Sequence, residues 1–284
     1  MIEVDVDLNI FSKIRSLSCV ESYILYILSS LNYEYKHLYA NSYASFYDIA
    51  HFFLDEKKRY AYFDCIPRIQ TTAEACEIIS MNSYNCSELG NIVNSDSYYL
   101  FNVKPNYITT RYGVAMWRDD HYMLLSSYDK VNSKLSYIND NPRDCGTMNA
   151  DEILEAYNKG IIQIKLLGNI NDLTKKSLYM DFCKSLNHSD QSYQFNEIDD
   201  ILSARDLVGI LRILRYRLFE YYSLFIECDF MVDYLKELDR KYSIIEYKRQ
   251  RNRVDYKEIV NMLSTLQDMD KENIDKIKKK MELM

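Results

Sequence analysis

Chain breakers and metal-ligand clusters are both scarce in this sequence. Only three prolines and six glycines are spread over 284 residues, of which 48% are hydrophobic. Disorder is therefore excluded, and the length suits one large globular domain or two modest ones. Seven cysteines, at positions 19, 65, 76, 86, 145, 183 and 228, include no Cys-x-x-Cys pair, so neither a zinc nor a disulfide framework is visible. Three of the four histidines, His37, His51 and His188, have no partner at metal-ligand spacing and read as structural or surface residues. No apolar run approaches the roughly 18 to 20 residues of a membrane span. The acidic start, Met1 to Asp7, lacks the basic and apolar regions of a signal peptide. The expected location is the cytoplasm, with no membrane partner. A net charge of -7 also argues against a nucleic-acid partner, because phosphate binding needs concentrated Lys and Arg.

What is abundant is tyrosine, with 27 residues. A Tyr-rich interior, apolar in the ring and polar at the hydroxyl, suits a pocket for an aromatic or amide-rich ligand. The plainer reading is that Tyr stands where other chains use Phe or Leu. Basic residues fall in two groups in the second half, Arg212, Arg215 and Arg217, then Lys248, Arg249, Arg251 and Arg253. They form either a face that steers an acidic partner or an ordinary charged surface paired with nearby carboxylates.

Three places carry chemistry. Cys19 opens an apolar helix, Cys19-Val20-Glu21-Ser22-Tyr23-Ile24-Leu25. His121 opens a strand in Asp120-His121-Tyr122-Met123-Leu124-Leu125, and Ser136-Tyr137-Ile138-Asn139-Asp140 ends the next strand at a turn before Pro142. A thiol at a helix N-terminus gains from unsatisfied N–H groups and from a nearby imidazolium, which together predict a thiolate at neutral pH. His121 would protonate the leaving group and then activate the second substrate. Asp140 or Asn139 would fix the imidazole through its other nitrogen, with Asp140 favoured. Backbone N–H groups around Cys19 point to where an oxyanion would form. Against this stands the bland alternative: a lone Cys on an apolar helix is most often a small buried hydrophobe. Cysteine, histidine and acid together, in that order, favour the enzyme reading.

The fold class expected is α+β. Helical pattern covers the Cys19 segment and Tyr43 to Leu54, and Tyr60 to Cys65 reads as a short strand. Thr72 is expected to cap a helix carrying Ala73, Ala75, Ile78 and Ile79. Four runs, Ser97 to Val103, Arg111 to Trp117, Tyr122 to Tyr128 and Leu135 to Ile138, read as antiparallel sheet. A short helix, Asp151 to Asn158, precedes a last strand from Gly160 to Leu167. After residue 170 the periodicity turns helical, with Leu207, Ile210, Leu211, Leu214 and Leu218 on one face. This predicts a catalytic domain over 1–170 and a helical domain over 171–284.

These residues resemble a known group. The segment from Cys19 to about Gly160 is similar to the N-terminal domain of butirosin-type acyltransferases, which are related to bacteriocin-leader peptidases within the papain-like cysteine clan. The resemblance rests on Cys19-Val20-Glu21-Ser22, on Ser95-Asp96-Ser97-Tyr98-Tyr99-Leu100, on the His121 strand, and on Ile138-Asn139-Asp140 followed by Asp151-Glu152-Ile153-Leu154. The Tyr98-Tyr99 pair is the least generic piece, and Val20 stands where plain peptidases carry glycine. A related papain-like enzyme makes amides in closthioamide biosynthesis. The resemblance implies a papain-like domain with Cys19, His121 and Asp140 as triad and Tyr98 and Tyr99 lining the substrate site. The implied reaction moves an acyl group from the phosphopantetheine thioester of an acyl or peptidyl carrier protein to a small amine, with no resident cofactor and no metal. The alternatives are a cysteine peptidase or hydrolase, and a catalytically idle binder of peptide-like metabolites. One departure matters: Lys13 stands where many papain-like enzymes carry a glutamine oxyanion donor ahead of the cysteine, and Ser16 and Ser18 lie nearer. The second oxyanion donor is unassigned by sequence.

Overall fold

A computed structural model describes residues 1–58, 68–85, 96–113, 121–186, 191–195 and 198–282. The architecture is α+β, as the patterning predicts. Six strands, β1 (Ile79–Asn85), β2 (Tyr98–Val103), β3 (His121–Asp129), β4 (Lys134–Asp140), β5 (Arg143–Met148) and β6 (Tyr157–Leu166), form one antiparallel sheet in the order β1-β6-β2-β3-β4-β5. The chain divides into two units. The first joins Met1–Tyr35 to Gln70–Asn171, and the second joins Lys36–Ile69 to Asp172–Met284. The expected 1–170 domain therefore differs for residues 36–69, which group with the helical half.

In the first unit, the Cys19–Ser30 helix is buried from Glu21 to Leu28. It packs against β3 and β4. The sheet core is built from Tyr99, Phe101 and Val103 of β2, Met123 and Leu125 of β3, and Leu135 and Tyr137 of β4, all buried. Their i, i+2 spacing puts each set on one face of its strand.

Several local expectations need correction. Arg111 and Tyr112 end a helix, Pro105–Tyr112, instead of opening a strand. Pro105 stands in its first turn and Gly113, at φ 61°, closes it in the left-handed region. The rest of that expected strand, 114–117, and the expected strand Tyr60–Cys65 lie outside the described residues. Thr72 lies inside the Ile69–Ala75 helix, which starts three residues earlier than expected, and Ile79 already belongs to β1. The short helix after the sheet runs Ala150–Ala156, fixed by a reciprocal cap between Asn149 and Glu152.

The second unit is helical, with long helices Ile201–Tyr222, Val232–Gln250 and Tyr256–Met281. Arg215 is wholly buried in it. Its Nε donates to Asp270 Oδ1 at 2.6 Å, one terminal nitrogen donates to Asp270 Oδ2 at 2.8 Å, and both terminal nitrogens reach the Ala44 carbonyl at 3.0 Å. Tyr234 donates its hydroxyl to Asp270 Oδ1 at 2.8 Å. A buried charge of this kind is tolerated because every polar atom is matched. No described helix is long and apolar enough to cross a membrane.

Candidate active site

Cys19 is the first residue of its helix. Ser18, the N-cap, accepts from the Glu21 N–H at 3.2 Å, and the buried Glu21 carboxylate accepts from the Leu17 N–H at 2.8 Å. Two backbone donors at the helix start are thereby satisfied by side chains, and the turn carrying Cys19 is held from both sides. The Ser18 hydroxyl is thus committed to the cap. The cysteine sulfur accepts from the N–H groups of Val20 and Tyr122. Tyr122 follows His121 on β3, so the sheet brings the start of that strand onto the thiol.

His121 is 2% exposed and Asn139 is fully buried. His121 Nε2 lies 2.7 Å from Asn139 Oδ1. An amide oxygen only accepts, so with the amide in this orientation a neutral imidazole donates from Nε2 and keeps its basic lone pair on Nδ1. Asp140 Oδ1 stands 4.0 Å from the same Nε2, beyond hydrogen-bond reach. It receives the Tyr23 hydroxyl at 3.2 Å instead, while the Asp140 N–H donates back to that hydroxyl at 3.1 Å. The expectation that Asp140 is the orienting partner is corrected: Asn139 holds the imidazole and Asp140 adds charge nearby. Strand alternation separates the two residues, since neighbours on β4 project to opposite faces. Among the described residues, Asn139 Nδ2 has no hydrogen-bond partner despite its burial.

Electrostatics also departs from expectation. Burial, reinforced by the Asp140 carboxylate, pushes the Cys19 thiol up to about 11, against the opposing pull of the backbone N–H donors. Desolvation penalises the thiolate more than the helix terminus favours it. This shift favours the thiol form of Cys19 at neutral pH. Burial likewise raises the Asp140 carboxyl, opposed by His121, and holds the Tyr23 phenol well above the ordinary tyrosine value, helped by Asp140 and Cys19.

Tyr98 and Tyr99 lie away from the thiol. In the register of β2 against β3, Val103 faces His121 and Tyr99 faces Leu125, so the tyrosine pair lies at the far end of the strand, roughly 13 Å along it. Tyr99 is fully buried in the sheet core and its hydroxyl accepts from Gln163 Nε2 at 3.2 Å, while Tyr98 is 4% exposed. Both are interior residues. Tyr23 is the site residue that sequence reasoning overlooked, though it stands four residues after Cys19 and hence on the same helix face. Lys13 ends the short Ile10–Lys13 helix.

The basic groups of the second unit divide between buried and paired residues. Arg215 and Arg217 are buried, Arg212 pairs with Asp239, Lys248 with Glu258 and Arg249 with Glu246. Among the described residues, no group of three His, Cys, Asp or Glu side chains is placed to hold a metal ion. Compared with protein-family models and with curated proteins, the chain matches none.

Proposed function

We propose that the chain is a cysteine-dependent acyltransferase that forms amides, with Cys19 as nucleophile, His121 as the proton carrier and Asn139 as the residue that orients His121. The observation that carries the reading is the buried 2.7 Å bond from His121 Nε2 to Asn139 Oδ1, on the strand whose next N–H reaches the Cys19 sulfur. That bond leaves the Nδ1 lone pair as the base. The papain-like resemblance of the Cys19 and His121 segments supports the same assignment.

Because Cys19 rests as a thiol, attack and proton transfer go together. The sulfur adds to the thioester carbonyl of the donor as its proton passes to His121, and the N–H groups at the helix start stabilise the oxyanion. The donor's carbon–sulfur bond then breaks, and its departing sulfur takes the proton from His121. An amine next attacks the Cys19 thioester and gives a proton to His121. The amide leaves, and that proton returns to the Cys19 sulfur. Asp140, close to the imidazole but not bonded to it, stabilises the imidazolium in both steps. The donor fitting this scheme is an acyl or peptidyl carrier protein bearing its acyl group on a phosphopantetheine arm, and the acceptor is a small amine.

Amine and water compete for the same acyl-enzyme, so the test is their ratio. With an acylated carrier and no amine, the acyl form of Cys19 should accumulate, and a diamine should discharge it into amide. Rapid turnover in water alone, with cleavage of an amide substrate, would replace this reading by a peptidase.

A further inference from the structure

A guanidinium caged by tyrosines takes no part in the steps above. Arg111 is exposed at the end of the Pro105–Tyr112 helix. Its guanidinium carbon lies 5.9, 5.8 and 5.5 Å from the ring centroids of Tyr107, Tyr112 and Tyr137. One terminal nitrogen donates to the Tyr107 hydroxyl at 3.3 Å. Five N–H donors are thus only partly used, and no described carboxylate forms an ion pair with Arg111. Among the described residues, Asp144 accepts the Tyr112 and Tyr137 hydroxyls on Oδ2 at 3.0 and 3.1 Å, and Glu152 and Glu155 act on Tyr107 from a distance. Those bonds brace the rings without neutralising the arginine.

The brace is built into the sheet. A Cβ at Gly146 would stand 2.8 Å from the Tyr137 hydroxyl oxygen, so glycine alone lets that ring lie across β5 to reach Asp144. Tyr137 precedes Asn139 by two residues on β4, roughly 7 Å, and Asp144 is Asn139's partner on β5. An exposed, rigidly oriented guanidinium with unused donors, next to the residue that holds His121, has the chemistry of an oxyanion receptor.

We infer that Arg111, held by Tyr107, Tyr112 and Tyr137, binds the phosphate of the donor's phosphopantetheine arm while the thioester at the other end of the arm reaches Cys19. This rests on the acyltransferase reading for the identity of the donor. A long linear arm suits a receptor set back from the thiol, and Arg meets phosphate through parallel N–H bonds. The cost is the Asp144 charge, which the two tyrosine hydroxyls partly screen.

The test compares two acyl donors on the full chain, S-acyl pantetheine with and without its terminal phosphate, following Cys19 acylation by intact mass. The phosphorylated donor should acylate at least ten-fold faster at limiting concentration, and Arg111→Gln should reduce that discrimination to about one, with Arg111→Lys between the two. Binding of non-acylated phosphopantetheine to Cys19→Ala should be displaced by inorganic phosphate and not by acetate. Acylation of Cys19 at equal rates by both donors, or discrimination unchanged in Arg111→Gln, overturns the receptor while leaving the acyltransferase standing. Phosphate-dependent binding lost in Cys19→Ala/Arg111→Gln, without any acylation of wild type, keeps the receptor and removes the acyltransferase. Displacement by acetate as readily as by phosphate assigns the cage to a carboxylate and also overturns the proposal.

Discussion

Two buried polar clusters, one in each unit, are put together in opposite ways. In the helical unit, Asp270 receives three hydrogen bonds from Arg215 and Tyr234, and Arg215 directs what remains to the Ala44 carbonyl. In the sheet unit, Asn139 has an amide nitrogen without a partner among the described residues, Asp140 sits 4.0 Å from an imidazole it does not bond, and burial raises both Cys19 and Asp140. A saturated network stabilises a fold, whereas an incomplete one keeps unmet bonding capacity that a ligand can use. The contrast predicts that mutations in the first cluster act on stability and mutations in the second on turnover.

The largest effect expected is at Cys19. Cys19→Ala should abolish acyl transfer while leaving the thermal midpoint nearly unchanged, because alanine suits a helix start and replaces a side chain whose charge was never formed. Asp270→Ala should do the converse. Leaving the Arg215 charge buried and unpaired costs about 3 to 5 kcal/mol, read as a fall in the denaturation midpoint followed by tryptophan-independent circular dichroism. Equal stability loss in both variants would erase the distinction between the clusters.

Next come the two candidates for orienting His121. Asn139→Ala should lower turnover by roughly 100-fold or more, in line with removal of an orienting partner, and Asp140→Asn by about ten-fold through the loss of one charge near the imidazolium. Reversal of that order would restore Asp140 as the third member of the triad.

A pH series sharpens the same comparison. The folded protein holds the Cys19 proton more tightly than the unfolded chain, whose thiol titrates near 9.0. Its contribution to stability is therefore complete below that value and is lost as pH rises toward about 11. Alkylation by iodoacetamide should accordingly keep accelerating from pH 7 through pH 10. A rate already level between pH 6 and pH 8 would mean a preformed thiolate–imidazolium pair. The smallest effect belongs to Tyr98→Phe, which should change donor KM less than two-fold and stability by about 1 kcal/mol or less, as fits an interior residue distant from the thiol.

Much of this arrangement was readable from the chain. The α+β class followed from the change of period near residue 170, and Cys19 and His121 stood out because each opens a regular element. What was hidden depends on pairing. The strand β1, Ile-Ser-Met-Asn-Ser-Tyr-Asn, is largely exposed and buries little of its own; it exists by hydrogen bonding to β6. The edge strand β5, Arg-Asp-Cys-Gly-Thr-Met, is similarly polar. Arg111 fell on a helix because Pro105 and Gly113 set its ends, and those end signals outweigh the strand-like Tyr, Ile and Thr between them. The choice between Asn139 and Asp140 turns on a one-residue register, and the irregularity between Leu125 and Ser127 on β3 shifts that register without a mark in the sequence. The grouping of residues 36–69 with the helical half is equally a matter of long-range packing.

In the proposed reaction Cys19 carries the acyl group under the control of a His121 held by Asn139. Intact-protein mass with peptide mapping, after mixing with an acyl phosphopantetheine thioester, tests it most directly. Wild type should gain one acyl mass on Cys19 within the first turnover, and Asn139→Ala should gain the same mass at the same residue far more slowly. An adduct on another cysteine, or an adduct on Cys19 that forms equally fast without Asn139, would contradict the account.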